Sequence, residues 1–234
     1  GFGRTFGSGG HPEWQTSAGA TGVVSCHSQR FRINGTHAMA QPLNSYSKKM
    51  CLIGASGVGK TSLVKRFIEG RFDKNYRTTI GAHMYDKFVI CDEKQVKLNI
   101  WDLEGRDDSR LEYPVPYLKG AQGYMLVADV TRPDTLDVAK DLLSTIGRQR
   151  KELTEDDPPV VLLLLNKQDL LQEDLMQSCR VTEQAQKSFG HDVKLFKTSA
   201  KLDEEVGQAF NYLVKQMLEV DRQKGSSTYE LKDE

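Results

Sequence analysis

The sequence predicts an α/β fold: a mostly parallel six-stranded sheet with helices on both faces. Three observations support this. From about Ser45 onward short apolar runs alternate with amphipathic stretches, the pattern of βαβ units. Val160-Val-Leu-Leu-Leu-Leu165 is apolar at every position, as a strand covered by helices on both faces should be. A glycine-rich segment, Gly54 to Gly59, lies between the first strand candidate and the first helix candidate.

The 234 residues carry 32 basic and 32 acidic side chains, with 38% hydrophobic residues, which suits one soluble domain plus spare chain. A formal net charge of zero removes the bulk attraction expected of a nucleic-acid binder. The longest apolar run is the six residues Val160 to Leu165, against roughly 20 for a helix that crosses a bilayer. Cys26, Cys51, Cys91 and Cys179 stand singly, with no Cys-x-x-Cys pair to suggest zinc or redox chemistry.

In chain order, residues 1–44 are expected to be a disordered extension. The first 38 hold eight of the 20 glycines, one acid (Glu13), and no helical or strand period. Met39 would serve as an alternative start; a targeting segment is the rival, weakened by having only Arg4, Arg30 and Arg32. Strands are expected at 49–53, 87–91, 96–101, 123–129, 160–166 and 194–198, and helices at 60–69, 136–153, 182–189 and 202–222. In the last helix Val206, Phe210, Leu213, Val214, Met217 and Leu218 make one core-facing stripe. The domain is expected over 45–222, followed by a flexible tail over 223–234.

Gly54-Ala-Ser-Gly-Val-Gly-Lys60-Thr61 fits G-x-x-x-x-G-K-[ST], with a strand before it and a helix after it, so a P-loop NTPase fold is expected. Its amides can curl around phosphates at a helix N-terminus, Lys60 can reach the β and γ oxygens, and the Thr61 hydroxyl can bind Mg²⁺. The loop alone leaves kinases and ATPases open. Asn166-Lys-Gln-Asp169 and Ser199-Ala-Lys201 then stand at the carboxyl ends of the last two strands, where open α/β sheets bind ligands. A carboxylate at Asp169 can accept from both N1–H and the exocyclic amine of guanine, a donor pair that adenine lacks. The stems of Lys167 and Lys201 can cover the base, and the Ala200 amide can donate to its O6.

With these motifs the chain resembles the Ras superfamily of small GTPases over roughly 45–222. Phe72-x-x-x-Tyr76-x-x-Thr79-Ile-Gly81 resembles switch I, and Trp101-Asp-Leu-Glu-Gly105 resembles the start of switch II. Thr79-Ile-Gly81, Lys119-Gly-Ala-Gln-Gly123 and Ser56 look most like the Rab branch. The resemblance implies GTP and GDP as ligands with Mg²⁺ held by Thr61, Thr79 and Asp102. It implies a cradle of Ser56, Gly57, Val58, Gly59, Lys60, Thr61 and Ser62, with Asn166, Lys167, Asp169, Ser199, Ala200 and Lys201 at the base. Thr79 and the Gly105 amide would sense the γ-phosphate, so Lys60, Thr79, Gly105 and Arg106 form the expected catalytic set. Phe72 would pack edgewise on guanine or sit in the core, and Tyr76 would cover phosphate or stand exposed. Effectors, exchange factors and GTPase-activating proteins are expected to use 72–82 and 102–119, on a monomer.

Three features depart from the family. Arg106 stands where a water-orienting glutamine is usual, and a guanidinium has five donors and no acceptor. Slow intrinsic hydrolysis is expected, with an internal arginine finger or an ion pair to Asp107 or Asp108 as other roles for Arg106. A nearly hydrolysis-inactive interaction module is the alternative function. Leu103 and Glu104 replace the smaller Thr-Ala, and Pro114 and Pro116 should shorten the switch II helix. No cysteine follows Cys179, so no prenyl anchor is expected. The expected setting is cytoplasmic, with membranes reached through a partner.

Overall fold

The computed structural model describes residues 46–230, apart from 74–77, 109–111, 154, 156, 172 and 191–192. The expected extension therefore lies outside the described residues, as does Tyr76.

Six strands form one sheet: β1 (Tyr46–Ile53), β2 (Ala82–Cys91), β3 (Lys94–Leu103), β4 (Gly123–Asp129), β5 (Val160–Asn166) and β6 (Lys194–Lys197). Their order is β2-β3-β1-β4-β5-β6. All neighbours run parallel except β2 and β3, which form an antiparallel hairpin from Ala82↔Leu103 to Cys91↔Lys94. The order reverses at β1, so the loops after β1 and β4 open onto a crevice at the carboxyl edge, the topological place for a ligand.

Each face of the sheet has its own core. One face packs Leu52, Met125, Leu162 and Leu164 against α1 (Lys60–Glu69) and α5 (Val206–Glu230), with the Phe67 and Phe210 rings stacked at 4.0 Å. The other packs Ile53, Leu126, Leu163 and Leu165 with Leu118 of α2 (Val115–Leu118), Leu142 of α3 (Asp134–Glu152) and Val181 of α4 (Leu175–Phe189). Residues 162–165 thus divide alternately between two apolar layers, which is why β5 shows no polar alternation. The α5 stripe expected from the sequence is buried in full. Among the described residues no helix is long and apolar enough to cross a membrane.

Several boundaries differ from expectation. β2 begins at Ala82 rather than at 87, because it is held by ladder bonds to β3 while Met84, Phe88 and Ile90 stand exposed; the pairing carries the strand where periodicity is absent. β1 starts earlier, where 46–48 pair with 96–98, β3 starts earlier, where Lys94 and Gln95 pair with Cys91 and Ile90, and β6 stops one residue short. α3 starts two residues early, just after Pro133. α4 begins seven residues early at Leu175, where the Asp174 side chain caps the amide of Gln177 at 2.9 Å. Its first turn leaves Leu175 and Met176 exposed, so the buried stripe reports only the later turns. α5 begins at 206 and runs to Glu230, past the start of the expected tail, with no proline to stop it. α2 is only four residues long, as Pro114 and Pro116 predict.

Candidate functional site

The phosphate loop runs from the end of β1 into α1. Gly59 sits at φ 99°, and a Cβ there would lie 2.4 Å from the Asn166 side-chain nitrogen, so only glycine fits. The same Asn166 nitrogen donates to the Val58 carbonyl at 2.8 Å, while its oxygen accepts from the Ala200 amide and the Thr198 hydroxyl at 3.3 Å. One buried amide side chain therefore joins the loop after β1 to the ends of β5 and β6.

Lys60 opens α1 and is 6% exposed; its ammonium donates to the Gly54 and Ala55 carbonyls at 3.0 Å each. Burial pushes its pKa down to about 8, against the pull of Asp102 and Asp107. A buried cation with only carbonyl partners is well prepared for an anionic ligand. The adjoining cleft is lined by Ser56, Gly57, Gly59, Thr61, Thr79 and Gly105.

Thr61, Thr79 and Asp102 converge although they lie on separate elements. The Thr61 hydroxyl stands 2.8 Å from that of Thr79 and donates to Asp102 Oδ2 at 2.6 Å. Asp102 is fully buried, and its Oδ1 has no hydrogen-bond partner. Burial raises its pKa, opposed by the Thr61 bond and by Lys60. Two hydroxyls and a carboxylate with an orphaned oxygen are a hard, all-oxygen donor set suited to a small divalent cation.

At the base end, Lys167 adopts φ 68° between β5 and a short 3₁₀ turn, Gln168–Leu170. Asp169 accepts from the Ser199 hydroxyl at 2.6 Å and lies 3.5 Å from the Lys201 ammonium. The two motifs that are 30 residues apart in the chain thus share one carboxylate. Lys167 donates to Asp129 at 2.7 Å, and Arg132 joins Asp129 at 3.2 Å and the Ser56 carbonyl at 2.7 Å. Burial raises the Asp129 pKa, but the Lys167 and Thr131 bonds outweigh it and hold the group below its ordinary value. Asp129 and Arg132 were not singled out from the sequence; an acid ending a parallel strand beside the crevice is the signal that could have found them. Ser62 lies half-buried on α1, and Phe72 is half-buried against the α1 and α5 core.

Gly105 packs on the phosphate loop so closely that a Cβ would lie 2.4 Å from the Ser56 Cα. Arg106 follows it and turns away. Its guanidinium pairs with Glu104 at 2.8 Å and lies 4.4 Å from the centre of the Tyr113 ring. Arg106 is neither solvent-facing nor paired with Asp107, which accepts from the Ser56 amide at 2.8 Å; its ion pair is made with Glu104.

A cavity of about 540 Å³ opens at the other ends of β4 and β5. Its buried Arg150 is bonded to the Ala121 and Asp157 carbonyls and to Glu155, so this cation is not aimed at a ligand.

Comparison with known proteins adds an independent finding. A model of the Ras family matches residues 49–219. The Ras-related protein Rab-13 of Mesocricetus auratus is 35% identical over 173 residues, 73% of this chain and 79% of that protein. Rab-32A of Dictyostelium discoideum is 32% identical over 179 residues, covering 76% and 81%. Rab-7b of Mus musculus is 34% identical over 177 residues, covering 76% and 85%.

Proposed function

The chain belongs to the Ras family of GTP-binding GTPases and is Rab-like, and from that premise we propose that it is a Mg²⁺-dependent guanine-nucleotide switch with slow intrinsic hydrolysis. The observation that carries the reading is the Asn166 bridge. It sets the Lys60 cradle and the Asp169 carboxylate into one rigid unit that can grip phosphates and base together.

In this reading the amides from Ser56 to Ser62 and the Lys60 ammonium hold the phosphates, and Asp169 selects guanine between the stems of Lys167 and Lys201. Tyr76 would cover the phosphates, Phe72 packs against the α1 and α5 core where its ring edge could still border guanine, and the Ala200 amide meets the base. Thr61, Thr79 and Asp102 would hold Mg²⁺, which supplies positive charge at the β and γ oxygens. Thr79 and Gly105 read the γ-phosphate. Its loss releases the segments around them, so partners at 72–82 and 102–119 distinguish the two states. Residues 45–222 act as the switch domain of a monomer, cytoplasmic or brought to membranes by a partner, with 1–44 and 223–234 as flanking segments.

In this reading hydrolysis is slow because Arg106 cannot accept from the attacking water as a glutamine carbonyl would, and its guanidinium is drawn off by Glu104. The test begins with mass spectrometry of the copurifying nucleotide, where GDP or GTP is expected. Chelation with EDTA should then speed release of a fluorescent GDP analogue. An adenine nucleotide, or release indifferent to EDTA, overturns the reading.

A further inference from the structure

Two of the departures in switch II, Glu104 and Arg106, are partners. Glu104 Oε1 takes the Arg106 guanidinium at 2.8 Å, while Oε2 accepts from the Gly81 amide of switch I at 3.0 Å. The backbones of the same two segments are joined by the Glu104 amide donating to Gly81 at 2.8 Å. Tyr113 closes the opposite side: it is 1% exposed, its ring faces the guanidinium, and its hydroxyl donates to the Glu104 carbonyl at 3.2 Å. Gln149 of α3 anchors Tyr113 by donating to its carbonyl at 2.9 Å. Arg106 thus lies in a box made of one carboxylate and one aromatic ring, with 12% of its side chain exposed.

The box is beside the phosphate cleft. The Arg106 amide donates to the Gly54 carbonyl of the phosphate loop at 3.2 Å, and the preceding Gly105 packs on Ser56. A long cation is therefore rooted at the γ-phosphate end of the cradle and bent away from it. The resting pose is also imperfect: Arg106 Nε is buried with no partner, a costly state for a donor.

We propose that Arg106 is an arginine finger in cis held in reserve, and that Glu104 is the positioning residue that keeps it from the phosphates. The inference rests on the nucleotide-site reading above. During hydrolysis a water oxygen bonds to the γ-phosphorus while the bond to the β–γ bridging oxygen breaks. The electron pair leaves on GDP, and the water's proton ends on inorganic phosphate. Negative charge gathers on the bridging and γ oxygens, where a guanidinium stabilises the transition state. With Glu104 engaged, that cation is withheld and turnover is slow. A partner that supplies a competing cation to Glu104, or displaces Tyr113, releases Arg106 and speeds turnover with no arginine of its own.

The test is a double-mutant cycle on the full chain. Glu104→Gln keeps an acceptor for the Gly81 amide while removing the charge that holds Arg106; Glu104→Ala removes both. Single-turnover hydrolysis of GTP is measured for each, with and without Arg106→Ala. Glu104→Gln should raise the rate about tenfold, a small part of the ~10³-fold or more that a placed arginine gives. The gain should vanish when Arg106 is alanine. Binding of GDP with aluminium fluoride should strengthen in the same Arg106-dependent way while GDP affinity stays put, a pattern that loosened packing would not produce. An unchanged rate, or a gain that survives Arg106→Ala, overturns the proposal. A wild-type chain that fails to retain labelled GDP overturns the nucleotide-site reading itself, whereas retained GDP with a flat cycle overturns this inference alone.

Discussion

The loops after β1, β5 and β6 on one side, and residues 103–108 with Tyr113 on the other, meet at the same cleft but are built differently. The first region is held by backbone carbonyls, glycine contacts and the buried Asn166, with bonds that reach across three strand ends. The second adds to its main-chain ties a set of side-chain contacts: Glu104 with Arg106, Arg106 with the Tyr113 ring, and the Gln149 side chain on the Tyr113 carbonyl. A scaffold of backbone and glycine leaves little freedom to the sequence. A scaffold of side-chain pairs can change its chemistry when two residues change together, and in the proposed function that change would fall on hydrolysis rather than on binding.

The sharpest way to break this comparison is at Asp169. Asp169→Asn replaces two charge-assisted acceptors with one acceptor and a donor facing the guanine donors. A loss of about 3 kcal/mol, on the order of a hundredfold in GDP affinity, is expected from titration with a fluorescent analogue. Unchanged affinity removes the base site from this location.

Asn166→Ala comes next and tests whether the first region is one unit. It orphans the Val58 carbonyl and the Ala200 amide and removes the link between the loops. Chemical denaturation should show a loss of about 2 to 3 kcal/mol, and GDP should dissociate faster. If stability falls while dissociation does not change, the loops hold their places independently.

These differences also explain what the sequence made legible. Gly54 to Thr61 and Asn166 to Asp169 could be read because each is a local motif between a strand and a helix. The strand in 160–165 could be read because burial on both faces erases polar alternation. The start of α4 could not, since its first turn buries nothing and depends on Asp174 as a cap. The Glu104–Arg106 pair was visible only as two oddities. Two residues apart, with a glycine between them, they give no periodic signal; the pairing depends on the turn of the backbone at Gly105 and on Tyr113, seven residues further along the chain. Asp129 and Arg132 were missed for a related reason, since their partners Lys167 and Ser56 lie on other loops.

Arg106→Gln sharpens the comparison from the second region. It restores a side-chain carbonyl that can accept from the attacking water and dissolves the pair with Glu104. Single-turnover hydrolysis should rise about tenfold, roughly 1.4 kcal/mol in the barrier, with GDP affinity unchanged. If wild type and Arg106→Gln hydrolyse GTP equally fast, slow turnover is not caused by the residue at 106.

The smallest effect is expected from Tyr113→Phe. The ring that faces Arg106 remains, so the aromatic wall is preserved, and only the hydroxyl bond to the Glu104 carbonyl is lost. That bond, at 3.2 Å in a buried setting, should contribute about 1 kcal/mol to stability, read from the shift in a denaturation midpoint. Hydrolysis should change little, because the carboxylate that holds the guanidinium is still in place. A large rise in rate from the loss of this one hydroxyl would move the restraint from the Glu104 charge to the backbone tie. The second region would then resemble the first, held by its main chain after all.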